Sequence, residues 1–134
     1  MLFQLRLDAS FFGVLCFFCL CNVSATEIVY SCQEKVLNAQ GIYKDFLKSD
    51  MGFLTESYRY QSESDELFIG ETMLSCKKMD DILSCSRVEA DDDYRYEWRL
   101  RLNKESLESK FLKLGYFANQ DHMIQTEGRC KEGH

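Results

Sequence analysis

Nine consecutive residues, Tyr94-Arg95-Tyr96-Glu97-Trp98-Arg99-Leu100-Arg101-Leu102, alternate between apolar and charged side chains without a break. Only an extended chain sorts such a sequence onto two faces, because strand side chains alternate while a helix repeats every 3.6 residues. The segment therefore predicts a half-buried strand. Tyr94, Tyr96, Trp98, Leu100 and Leu102 face the core, and Arg95, Arg99 and Arg101 share the opposite face with Glu97. Asp91-Asp92-Asp93 before it and Asn103-Lys104-Glu105-Ser106 after it are turn chemistry.

Six further strands are expected at residues 27–32, 53–60, 67–76, 82–88, 107–114 and 122–130. One short helix is expected at 34–48, where Val36, Ala39, Tyr43, Phe46 and Leu47 fall near three- and four-residue spacing. Gly41 in its middle opposes that helix by about 1 kcal/mol of propensity. With 134 residues there is chain for one domain and too little for two, and no room for the crossover helices of a parallel sheet. The expected class is mainly β: a small antiparallel meander, barrel or sandwich. Glu63-Ser64-Asp65-Glu66 reads as an exposed loop.

The amino-terminal end has a different character. Arg6 is followed by the apolar run FFGVLCFFCL from Phe11 to Leu20, and Val23-Ser24-Ala25 closes it with small residues. A positive head, a short apolar stretch and an A-x-A-like tripeptide form a cleaved secretory signal, and the run is too short to span a bilayer. The expected division is a signal peptide over 1–25 and a single β domain over 26–134. Cleavage removes Cys16, Cys19 and Cys21, so that the seven cysteines become four: Cys32, Cys76, Cys85 and Cys130. An even set suits an oxidising export compartment, periplasmic or extracellular. The sequon Asn22-Val23-Ser24 leaves with the signal.

Strand register pairs the cysteines. If Asp80-Asp81 is a two-residue hairpin loop, Met79 faces Ile82, Lys78 faces Leu83, Lys77 faces Ser84 and Cys76 stands opposite Cys85. Opposed residues of that kind lie about 4.5 Å apart, within reach of a disulfide. Cys32 and Cys130 then join the start of the domain to its end. Structural zinc takes cysteines in C-x₂₋₄-C pairs, and Cys32, Cys76, Cys85 and Cys130 form none.

Catalytic chemistry is thin. His134 is the last residue, and His122 lies in an expected strand with no nucleophile motif beside it, which reads as an ordinary surface histidine. Asp91-Asp92-Asp93 lacks the ligand spacing and glycine of a calcium loop and reads as a solvated turn. No glycine-rich phosphate loop is present. The chain carries 16 basic and 22 acidic residues, a formal net charge of −6, which argues against nucleic-acid binding and favours a basic partner. Expectations are thus no enzyme, no cofactor, no metal and no membrane contact after cleavage, in a monomer. Arg95, Arg99 and Arg101 are the candidate interaction face.

Tyr30-Ser31-Cys32, Tyr96-Glu97-Trp98 and Gly128-Arg129-Cys130-Lys131 resemble the layout of small exported bacterial proteins of the c-type lysozyme inhibitor kind. That resemblance implies a compact antiparallel β-barrel which blocks an enzyme cleft. Those inhibitors use a loop with Ser-Gly and a lysine; no Ser-Gly occurs here, so no inhibitory residue carries over. The functional expectation is a secreted or periplasmic binding module, such as a protein inhibitor of a basic enzyme. The alternative is a lipocalin-like carrier of a small hydrophobic ligand. A barrel of about 109 residues is expected to be filled by its own side chains, which favours the first.

Overall fold

The computed structural model describes residues 27–47 and 53–133. The expected signal segment and its sequon lie outside them. The described residues form eight strands and one 3₁₀ segment: β1 (Glu27–Gln40), the 3₁₀ segment (Gly41–Leu47), β2 (Phe53–Gln61), β3 (Glu66–Ile69), β4 (Thr72–Met79), β5 (Ile82–Ala90), β6 (Arg95–Asn103), β7 (Glu108–Phe117) and β8 (Gln120–Gly133). Each strand pairs antiparallel with the next, and β8 returns to pair with β1, so the sheet closes into an up-and-down barrel. Closure gives every strand two neighbours, although the short β3–β4 hairpin pairs only Tyr58–Gln61 of β2 and Ile82–Ser86 of β5 on that side.

The alternation of Tyr94–Leu102 is resolved as expected in β6. Trp98, Leu100 and Leu102 are buried while Arg95, Arg99 and Arg101 are exposed. Tyr94 and Tyr96 are only half-buried, at the rim. Most outward positions are charged or polar and inward ones of the packed half are apolar, although Leu37, Phe53, Met79, Val88 and Tyr116 are exposed.

Two expected elements differ. The one short helix forms but is narrower than expected: it is the 3₁₀ segment Gly41–Leu47, and residues 34–40 belong to the second half of β1. The three-residue spacing of Val36 and Ala39 comes from a β-bulge: Val36 pairs with Thr126 and Asn38 with Gln125, leaving Leu37 as the extra residue. A bulge shifts the inward parity by one position, and that shift mimics a helical spacing. The strand expected over 67–76 is two strands, because Gly70, at φ 60°, turns the chain back so that Leu67 faces Leu74. Glu66 accordingly belongs to a strand rather than to the loop before it.

Both cysteine pairs form as expected. Cys76 stands opposite Cys85 across the β4–β5 hairpin, and Cys32 opposite Cys130 across the β1–β8 seam, with Cα separations of 4.0 and 3.9 Å. The Asp80-Asp81 loop closes with Asp80 at φ 56°, a left-handed conformation that Asp tolerates better than most side chains. The bridges join the barrel's packed half, where Tyr30, Tyr60, Leu67, Leu74, Leu83, Leu100 and Leu102 fill the interior. The opposite end carries the 3₁₀ segment and the turns at 69–72, 90–95 and 117–120.

Candidate functional site: a cavity beneath the 3₁₀ segment

At that second end the described residues leave part of the interior open. A cavity of about 360 Å³ lies inside the barrel, within the range of small-molecule pockets. Its walls include Leu54 and Glu56 of β2, Trp98 of β6, Phe111 and Lys113 of β7, and Ile124 and Thr126 of β8. Tyr43 and Phe46 of the 3₁₀ segment cover it. The expectation of a completely filled barrel is therefore met at the disulfide end only. The reason is local: toward the mouth, β2, β7 and β8 place Glu56, Lys113 and Thr126 inward, where large aliphatic side chains would close the space.

The polar groups of this end are arranged in a definite order. Glu34 is fully buried and both its carboxyl oxygens are taken: the Tyr58 hydroxyl donates to Oε1 and the Thr126 hydroxyl to Oε2. A buried carboxyl needs such donors, because its desolvation is otherwise too costly. Burial, followed by the charge of Glu34 and its hydrogen bond, pushes the Tyr58 hydroxyl well above the ordinary tyrosine range, so it stays a donor. Glu56, on the cavity wall, makes no hydrogen bond or ion pair with the described residues. Its carboxyl is raised from its ordinary value, first by burial and then by neighbouring Glu34.

Lys113 lies on another wall, separated from β2 by β8 and β1. Its ammonium is 5.4 Å from the ring centroids of Tyr96 and Trp98 and 5.7 Å from that of Tyr43. Aromatic faces attract a cation at such distances, and more strongly away from water. The cavity thus combines an aromatic and aliphatic body with one carboxyl and one ammonium, a lining that suits a molecule with an apolar body and few polar atoms.

His122 is corrected from a surface to a buried histidine, 2% exposed. Its Nδ1 accepts from the Ile42 N–H at 3.0 Å, so its Nε2 carries the hydrogen and donates to the Phe117 carbonyl at 3.3 Å. The ring stacks on Phe117 at 3.8 Å. Both nitrogens serve the main chain, one of them at the start of the segment that covers the cavity.

Arg95, Arg99 and Arg101 lie on the outer face of β6, on the other side of the sheet from the cavity. The structure aligns them but does not leave them equivalent. Arg99 is bound to Glu97 at 2.7 Å and lines one outer groove with Arg101, whereas Arg95 lines another. A larger outer groove, about 430 Å³ across β7, β8 and β1, is bordered by the pairs Glu108–Arg129 and Lys110–Glu127. These charges already have partners in solvent, and such exposed pairs contribute little. Among the described residues no three His, Cys, Asp or Glu side chains are grouped to hold a metal ion.

Sequence reasoning passed over Glu34, Glu56, Tyr58, Lys113 and Thr126. A signal was available in strand parity. Tyr30, Cys32 and Glu34 share one face, as do Glu56, Tyr58 and Tyr60, and Ser109, Phe111 and Lys113. A charged residue in phase with core residues marks a polar group turned inward. Comparison of the chain with protein-family models, with curated proteins and with solved structures returns no match.

Proposed function

We propose that this protein is a non-enzymatic binding module of an oxidising export compartment, and that it holds a small amphipathic molecule at the half-open end of its barrel. The observation that carries this reading is the cavity of about 360 Å³, walled by Leu54, Trp98, Phe111 and Ile124 in a barrel whose other half is filled. A half-open pocket of that size leaves the apolar faces of Leu54, Trp98, Phe111 and Ile124 unfilled, and the apolar body of a ligand would cover them. The two intramolecular disulfides suit the compartment.

Trp98 is the chain's single tryptophan and lines the cavity, so its emission reports on occupancy at one place. Titration with the neutral probe N-phenyl-1-naphthylamine is expected to saturate at one equivalent and to change Trp98 emission. Ile124→Phe, which extends a ring into the cavity, should abolish saturable binding. Absence of binding, or binding indifferent to Ile124→Phe, would overturn the carrier reading.

A second reading, inhibition of a basic enzyme, draws on the net charge of −6 and on Asp91, Asp92 and Asp93, exposed together at the cavity end. It expects a c-type lysozyme to lose activity when mixed with one equivalent of the protein. Undiminished activity would remove it.

A further inference from the structure

We propose that the molecule held in the cavity carries one protonated amine, bound by Glu56, while its apolar body lies against Trp98, Phe111 and Ile124. This rests on the cavity being a ligand site, as argued above, and adds the chemical class of the ligand.

The two carboxyl groups of this end are not equivalent. Glu34 has both oxygens satisfied, by Tyr58 and Thr126, and is sealed from solvent. Glu56 lines the open space and has no such partner among the described residues. Its neighbour Glu34 is of like charge and disfavours its ionised form, as does burial. An ammonium placed against Glu56 relieves both penalties at once, because it pairs with one carboxylate and lies in the field of the second.

Among the described residues no cation is paired with Glu56. Lys113 is on the β7 wall with its ammonium against Tyr43, Tyr96 and Trp98, and makes no ion pair with the described residues. Arg87 points its guanidinium elsewhere, to the Met73 carbonyl at 3.3 Å and to Glu89 at 3.8 Å. Among the described lining residues an anionic ligand would find one cation, Lys113, but it would enter a space bordered by Glu56 with Glu34 behind it. A neutral ligand would leave Glu56 uncompensated. Of the three classes, the cation gains most from the groups in place.

The test uses three ligands with the same eight-carbon body: octylamine, which is protonated at neutral pH, 1-octanol and octanoate. Each is titrated against the full mature protein, followed by Trp98 emission and by displacement of N-phenyl-1-naphthylamine. Octylamine is expected to bind at least tenfold more tightly than octanol, with octanoate weakest. In Glu56→Gln, confirmed as folded by its cooperative thermal transition, the ratio of amine to alcohol affinity should fall to about one. Equal binding of amine and alcohol, a preference for octanoate, or a preference for amine that survives Glu56→Gln would each overturn the proposal while leaving the carrier reading intact. If the neutral probe also fails to bind, the carrier reading falls and this inference with it.

Discussion

The α-carbon of Gly41 lies against the imidazole of His122 so closely that a Cβ built on it would fall 2.1 Å from Nδ1. That contact brings the end of β1 onto β8 and lets the Ile42 N–H reach the ring. The cover of the cavity is thus held at its first residues by a side chain 80 positions further along the chain.

Gly41→Ala should be destabilising for two reasons that add. At φ +67° an alanine is strained, and its methyl collides with the imidazole. A loss of about 1–3 kcal/mol is expected in urea unfolding. His122→Ala leaves the Ile42 N–H without its acceptor and removes the ring stacked on Phe117, with a cost of about 1–3 kcal/mol. Either variant unfolding at the wild-type midpoint would contradict this account of the cover.

The two disulfides close loops of very different length, with sequence separations of 98 and 9. In the chain-entropy description, the Cys32–Cys130 bridge is worth about 4.7 kcal/mol and the Cys76–Cys85 bridge about 2.5. The double variant Cys32→Ser with Cys130→Ser should therefore lose more stability than Cys76→Ser with Cys85→Ser. Denaturant unfolding of the two, with m-values compared, checks the order; a reversal would mean that strain or hairpin structure outweighs loop closure. Non-reducing peptide mapping should recover Cys76 linked to Cys85.

Tyr58→Phe removes one of the two donors to the buried Glu34 while keeping nearly all the packing. Hydrogen bonds to a carboxylate are worth about 1.5–3 kcal/mol, and a loss of that size is expected. Thr126→Val removes the other donor with a similar outcome. If both variants kept wild-type stability, the Glu34 network would have no energetic role.

Glu56 has a signed pH dependence. Its carboxyl is raised in the folded protein, so the fold holds this proton more tightly than the unfolded chain does. Stability from this group is fully present below the ordinary carboxyl value of 4.5 and is lost as pH rises through the raised value. Glu34 and Lys113 also border this end of the barrel, but Glu56→Gln leaves both in place. The Tm of Glu56→Gln minus that of wild type should be near zero at pH 4 and positive at pH 7. A difference independent of pH, or one that is negative at pH 7, would contradict the placement of Glu56.

Strand content and the disulfide pairing were legible because they depend on period two and on register near a turn. The alternation of residues 94–102 has one extended solution, and the two residues between Met79 and Ile82 bring Cys76 opposite Cys85. The start of the short helix is not legible, because a bulge at Leu37 advances the inward parity by one and gives Val36 and Ala39 a helical spacing although residues 34–40 are strand. Gly70 inside an apolar run carried too little local signal to divide 67–76 into two strands.

By itself the sequence determined a β domain, the two faces of β6 and the Cys76–Cys85 pair, since each follows from contacts near in sequence or from simple parity, and Cys32–Cys130 followed only as the remaining pair. Only the tertiary structure decided that the sheet closes on itself, that His122 and Glu34 are buried, and that Glu56 and Lys113 line one space. The physical reason is distance along the chain. Whether two strands almost a hundred residues apart meet, and how much of the interior their side chains fill, depends on the sum of strand registers around the barrel. No local pattern encodes that sum.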